Sequence, residues 1–401
     1  MPGAPEEEVR DGIERFSLVR GDRLFRIERA LGLVPREGGL GVGRRALLLA
    51  LFTWLPIVVW ASVTGRALSP GRVSEPLLEH FGVHVRCLVA IPLFILAEAT
   101  AHAMSLELIP YFVTSGLVPT EERARFASVV QGARALRDRS LPLILIAGLV
   151  VGWIVARPIQ ADLHELEWAV EGSPQEMRLG FGGLWFFYVV RPIFTALVLV
   201  WIWRVILLGL TLRRIAALDL SIVPSHPDRT GGLGFLERVP LALSPVLLGM
   251  SAVLASRWAH DVAFHGVELR SLRLPAAIFL IGVAALGLAP LLTFSGALRR
   301  ARWQALLDYG SVIGEHGRRV RRRWILGEKV EDREELLAAP ELGPVADTIT
   351  LYESVQRMRA APLSRTALVA VLLPVVLPML AVVAIRIPIK NVLLGILKTL
   401  M

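Results

Sequence analysis

The chain has 401 residues, 54% of them hydrophobic and 20% charged, with a mean hydropathy of +0.57. Soluble proteins reach only about 45–50% apolar even with glycine counted, so a soluble globular protein is excluded. A net charge of +9 and a pI near 10.6 would otherwise suit nucleic acid. In so apolar a chain the basic loops read instead as held against anionic membrane lipid, and no nucleic-acid partner is expected.

The single cysteine, Cys87, has no partner for an internal disulfide and no Cys or His at ligand spacing. Disulfide scaffolds, zinc fingers and iron–sulfur clusters are therefore not expected, and no cofactor is implied. Residues 1–45 are polar. The first apolar run begins at Ala46 without a small-residue cleavage site after it, so it reads as a retained anchor rather than a signal peptide. Within the polar segment, Glu6, Glu7 and Glu8 precede Phe16, Leu24, Ile27 and Leu31 set among arginines. That pattern predicts one or two amphipathic helices lying on the inner membrane surface.

A membrane-spanning helix needs about 20 mostly apolar residues. Seven stretches qualify: Ala46–Val63, Cys87–Met104, Leu141–Ala156, Leu184–Leu212, Val239–Ser256, Leu274–Leu298 and Thr366–Ile385. Between the second and third, Thr120-Glu121-Glu122 opens a charged helix to Arg139. After the sixth, Trp303, Leu306, Leu307 and Val312 continue a helical spacing; beyond Gly327, residues Glu331–Arg359 read as a second helix broken by Pro340 and Pro344. With no strand alternation and no internal repeat, the expected fold is an all-α polytopic membrane bundle of about seven helices. Its divisions are 1–45 as a cytoplasmic segment, 46–298 as a six-helix bundle, 299–365 as a helical cytoplasmic insertion, and 366–401 as the last span with an apolar tail.

Basic residues accumulate on the cytoplasmic side of short loops. With the amino terminus inside, the inner segments hold 31 of the 44 Lys and Arg and the outer segments 11. An inside amino terminus and an outside carboxyl terminus follow, unless Ile387–Met401 returns through the membrane.

Ionisable residues within hydrocarbon are the leads to function, since each is costly unless paired or wet. Glu98 and His102 lie four residues apart on one helical face, near and just inside the middle of the second span. They suit proton transfer, cation coordination or a substrate; equally, Glu98 suits an ion pair with an arginine on another helix. Arg191 and Arg204 sit about 20 Å apart along the fourth span, each beside aromatic residues. The plain reading is a pair of interfacial anchors that snorkel; the alternative is a kink at Pro192 and a wet path where an arginine meets an anion or Glu98.

The segment from Asp219 to Phe235 is the most unusual. His226, Asp228 and Arg229 precede Gly231, Gly232 and Gly234, whose backbone N–H groups suit an anion or a lipid headgroup, or else a tight structural corner. It is no Walker loop, because no Lys-Ser/Thr follows the glycines, and Gly38–Arg45 fails for the same reason. On the outer side, Asp162, His164, Glu165, Glu167 and Glu171 share one loop, and His260, Asp261, His265 and Glu268 another. Neither shows a metal-ligand spacing, so both read as solvated loops and no metal site is assigned. No motif compels catalysis.

Trp201-Ile202-Trp203-Arg204, the loop from His226 to Phe235, and the block from Leu342 to Arg359 together resemble a family of uncharacterised bacterial multi-pass inner-membrane proteins. The resemblance covers residues 40–401. It implies a bacterial inner membrane and singles out 226–235, and it transfers no activity, substrate or catalytic residue. Three functional readings stay open: transport or permeation of a small ion or solute through Glu98 and His102; a membrane-anchored scaffold or signalling partner docking a cytoplasmic protein through 299–365; and a lipid-modifying enzyme using His226 and Asp228, with a homo-oligomer open in each case.

Overall fold

The computed structural model describes residues 16–35, 39–68, 75–156, 166–171, 178–327 and 342–386. Seven helices in it are long and apolar enough to cross a membrane. In chain order the helices are α1 (Arg23–Ala30), α2 (Val42–Val63), α3 (Phe81–Thr114), α4 (Arg123–Asp138), α5 (Leu141–Ala156), α6 (Phe181–Ile215), α7 (Arg238–Phe264), α8 (Arg273–Leu292), α9 (Ser295–Val320), α10 (Leu342–Gln356) and α11 (Arg365–Arg386). Helices α2, α3, α5, α6, α7, α8 and α11 are the spans. Leu51, Phe52 and Leu55 of α2, Ile144, Leu145 and Leu149 of α5, Ile278 and Ile281 of α8, and Leu373, Leu377 and Leu380 of α11 all point outward and exposed. An outward apolar belt of this extent suits lipid and not water. The chain is a multi-pass membrane protein.

Helix α7 is the innermost span and packs against α11, α3 and α8. Close approach needs small residues there, as in other membrane bundles. A Cβ on Gly249 would lie 2.8 Å from Phe94 Cε1, and the Ser251 hydroxyl donates to the Val375 carbonyl at 2.6 Å. Pro245 removes the N–H that would serve Leu241, and the Ser244 hydroxyl donates to that carbonyl instead, at 2.8 Å.

Two of the prolines shape their spans alike. A five-residue π turn, Arg86–Ala90, stands directly before Ile91-Pro92, and another, Phe186–Val190, before Arg191-Pro192. The wider turn makes room for a proline ring that would otherwise strike the carbonyl four residues back. The fourth span thus runs on through Pro192 without a break.

Several boundaries differ from the sequence expectation. The second span extends to Thr114, about 51 Å of helix at 1.5 Å per residue, so it projects beyond a hydrocarbon layer about 30 Å thick. The sixth span stops at Leu292, because the chain turns at Thr293 and Phe294 before α9 begins. Phe294 is buried there, stacked on Phe112. A two-stranded hairpin pairs Val170 with Leu179 and Glu171 with Arg178, too short to leave an alternation in the sequence. Of the helix expected over 331–359, Leu342–Gln356 is observed, and 328–341 lie outside the described residues, as do residues 6–15 and the tail 387–401.

The amino-terminal segment does not simply lie on the membrane surface. Phe16, Leu18 and Val19 are buried in the main core, while Ile27 and Leu31 are exposed. The Arg137 guanidinium donates to the carbonyls of Ser17 and Arg20 at 2.6 and 2.9 Å, and Arg26 pairs with Asp138 at 3.0 Å. The segment is thereby fastened across the end of the bundle where α2 begins.

Candidate functional site

Under this fastened segment lies a buried charge cluster drawn from four elements. Glu98 of α3 is 1% exposed and sits between two guanidiniums: Arg45 of α2, 2.6 Å from Oε2, and Arg204 of α6, 2.9 Å from Oε1. Arg204, 3% exposed, donates a second time to Asp22 Oδ2 at 2.7 Å, and Arg45 is also paired with Glu28 of α1. The other oxygen of Asp22 caps α1 by accepting from the Phe25 N–H at 2.7 Å. Asp22 therefore ties the start of α1 directly to a membrane-embedded arginine. Trp201, one turn before Arg204, lies under its guanidinium at 5.0 Å and donates its indole N–H to the Phe94 carbonyl at 3.0 Å.

Among the described residues the cluster holds three carboxylates and two guanidiniums, one acid in excess. Burial pushes the Glu28 carboxyl above its ordinary range; its hydrogen bond from Arg45 pulls the other way, and the nearby Glu98 charge adds to the rise. A proton on Glu28 would balance the remaining four charges. Arg45 Nε, also buried, has no hydrogen-bond acceptor among the described residues.

The sequence candidates fall into three groups. Glu98 and Arg204 come together, one of the meetings anticipated for the fourth span, but the cluster lies level with the first turns of α2 and not at the middle of the bundle. His102 stands apart from it, with Nδ1 2.8 Å from the Ser17 hydroxyl. Arg191 and Arg204 are not snorkelling anchors: Arg191 is 4% exposed and packs over the rings of Phe186 and Phe187 at 5.4 and 5.5 Å. The physical reason is that both side chains face the bundle interior, where carboxylates and aromatic faces replace headgroups.

Three of the backbone donors in the 226–235 loop are taken up by the loop's own Asp228. Asp228 Oδ1 accepts from the backbone N–H groups of Thr230 and Gly232 at 2.7 and 3.2 Å, and Oδ2 from that of Gly234 at 2.8 Å. An anion at the Gly232 and Gly234 N–H groups would have to displace the protein's own carboxylate. Burial alone would raise that carboxyl, but the N–H groups of Thr230, Gly234 and Gly232 outweigh it and hold Asp228 below its ordinary range. His226 Nδ1 stands 2.9 Å from the same carboxylate. Arg229 has a left-handed backbone, φ 59°, as do Gly231 and Gly232. The Arg359 N–H donates to the Arg229 carbonyl at 2.8 Å, and Ser354 donates to Ser225 at 3.2 Å. The loop and the block 342–359, remote in sequence, form one joint.

Asp22, Glu28 and Arg45 were not singled out by the sequence. Arg45 borders the first apolar run, where arginines usually meet headgroups, and nothing local marks Asp22 or Glu28 as facing inward. On the outer side His260, read as part of a solvated loop, is buried within α7, while Asp162, His164 and Glu165 lie outside the described residues. Set against protein-family models, curated proteins and solved structures, the chain matches none.

Proposed function

We propose that the protein carries out transport or permeation of a small ion or solute, with Glu98 as the pathway group that receives it and the ion pairs around Glu98 holding the pathway closed. The observation that carries this reading is the five-charge cluster itself. Seven apolar helices need no buried charge to act as an anchor, and a buried ion pair is seldom more stable than apolar packing of the same volume. Ionisable groups inside a membrane bundle are accordingly read first as parts of a pathway or switch. The excess carboxylate and the raised Glu28 suit uptake of a proton as the event that alters the gate.

The amino-terminal face is the cytoplasmic one in this reading, and the membrane a bacterial inner membrane, supported by the bias of basic residues and by the sequence resemblance. A scaffold reading is favoured by one feature: Trp303 and Leu307, one turn apart on α9, are both exposed and offer an apolar spot for a partner. Flux measured in proteoliposomes under imposed proton, potassium and chloride gradients separates the two. Permeation predicts a selective flux in the wild type that Glu98→Gln removes. Traces identical to those of empty liposomes would discard permeation and leave the scaffold.

A further inference from the structure

The opposite end of the bundle gathers three ligand-type side chains that the charge cluster does not use. Glu75 leads into the turn at Leu77–Glu79, His80 immediately precedes α3, and His260 lies in the last turns of α7. His80 and His260 are 3% and 8% exposed, and the Glu75 side chain 13%. One ligand atom from each lies within 4.8 Å of the others. Glu75 Oε2 is 3.0 Å from His260 Nε2 and 3.4 Å from His80 Nε2.

The hydrogen bonds fix what His260 offers. Its Nδ1 is 3.0 Å from the Glu79 carbonyl, which can only accept, so Nδ1 carries the proton and Nε2 of the neutral ring holds a lone pair. That lone pair faces a carboxylate oxygen at 3.0 Å, a repulsive arrangement unless a cation lies between them. A proton on Nε2 is badly aimed to serve, since among the described residues both Glu75 Oε2 and His260 Nε2 are buried without any hydrogen bond of sound geometry. Ligating histidines commonly donate their other ring nitrogen to a backbone carbonyl in this way. Ligand atoms at about 2.0–2.1 Å from a tetrahedral zinc ion stand about 3.4 Å apart, close to the two measured separations.

We infer that Glu75, His80 and His260 bind a divalent transition-metal ion of the zinc class. The Glu-His-His donor set favours zinc over magnesium or calcium, which prefer all-oxygen sites. The ion clamps the start of α3 to the end of α7. Three protein ligands leave a fourth position open, and beside them lies a cavity of about 440 Å³ lined also by Arg257, Asp261 and His265. An anionic or water ligand reaches the ion from there. This inference does not depend on permeation through the charge cluster.

The test uses the full chain, purified without a histidine tag, stripped with chelator and titrated with zinc chloride by calorimetry. One zinc ion per chain is expected, with no competition from excess magnesium. Cobalt chloride should give the intense visible band of a four- or five-coordinate site rather than the weak band of aqueous ion. Glu75→Gln and His260→Asn should each weaken binding more than about tenfold, the lower end for loss of a supporting residue alone. The asparagine keeps a donor toward Glu79, so His260→Asn preserves the local fold, and His226→Ala at the far face should change nothing. Absence of saturable zinc binding, an octahedral cobalt spectrum in the wild type, or equal affinity in all variants would overturn the assignment.

Discussion

Replacing Glu98 by glutamine keeps the side-chain shape and removes the charge at the centre of the cluster. In the wild type its two oxygens accept from Arg45 at 2.6 Å and from Arg204 at 2.9 Å. Glutamine can accept from one arginine only, and its amide N–H group must then face the donors of the other. Breaking a buried pair by removing one partner costs about 3–5 kcal/mol, because the remaining charge stays buried. Here each arginine retains a second carboxylate, Asp22 for Arg204 and Glu28 for Arg45, so the lower end, about 3 kcal/mol, applies. Unfolding in mixed micelles by SDS titration, followed by circular dichroism, reads this loss. Arg204→Met should be costly as well, and the double variant Glu98→Gln/Arg204→Met should cost less than the sum by about 1–3 kcal/mol, the coupling expected of residues in contact. Strict additivity of the two single changes would refute the pairing on which the account rests.

Glu28→Gln retains the hydrogen bond from Arg45 without the charge. Because the folded Glu28 carboxyl lies above its ordinary value of 4.5, its contribution to stability is complete below that value and is lost as pH rises through the folded pKa. The midpoint of thermal unfolding of the wild type should therefore fall as pH climbs above 4.5, and Glu28→Gln should flatten that slope; parallel profiles would contradict the assignment. Asp228 behaves oppositely: its lowered carboxyl stabilises the loop above its ordinary value of 3.8 and loses that effect as pH falls through the folded value. Asp228→Asn points an amide N–H group at the Gly234 N–H and should cost about 2 kcal/mol in the same titration; a neutral change would show that the carboxylate does not organise the loop. At Gly231, φ is 67° and an added Cβ would stand 2.3 Å from Ile222 Cγ2. Gly231→Ala should then cost about 2–4 kcal/mol from backbone strain and overlap, while Gly209→Ala, with nothing within 4 Å of its added Cβ, should be nearly neutral.

The spans were legible in the sequence because hydrocarbon imposes one requirement, some 20 apolar residues, that needs no knowledge of neighbours. Helix ends were less so: the extension of α3 to Thr114 and the stop of the sixth span at Leu292 depend on packing of Phe112 against Phe294. Glu98 and Arg204 stood out through the cost of charge in lipid, but their partners did not. Asp22 looks like any helix cap, and Arg45 like any flanking arginine, until α1 is folded under the bundle. The glycines of 226–235 suggested an anion, whereas the anion that Gly232 and Gly234 hold is Asp228, four and six residues away, whose carboxylate reaches their N–H groups only in this loop conformation. Glu75 and His260 are 185 residues apart in the chain, and no spacing rule connects them.

The central claim is that the cluster closes a pathway and that the amino-terminal segment is its latch. Asp22→Asn tests it most directly, since asparagine still caps α1 while the charge pairing with Arg204 is lost, leaving Glu98 and its pair with Arg45 in place. In proteoliposomes under a fixed gradient, the account predicts a selective flux greater for Asp22→Asn than for the wild type, and abolished when Glu98→Gln is added. Equal flux in the wild type and Asp22→Asn, unaffected by Glu98→Gln, would contradict it.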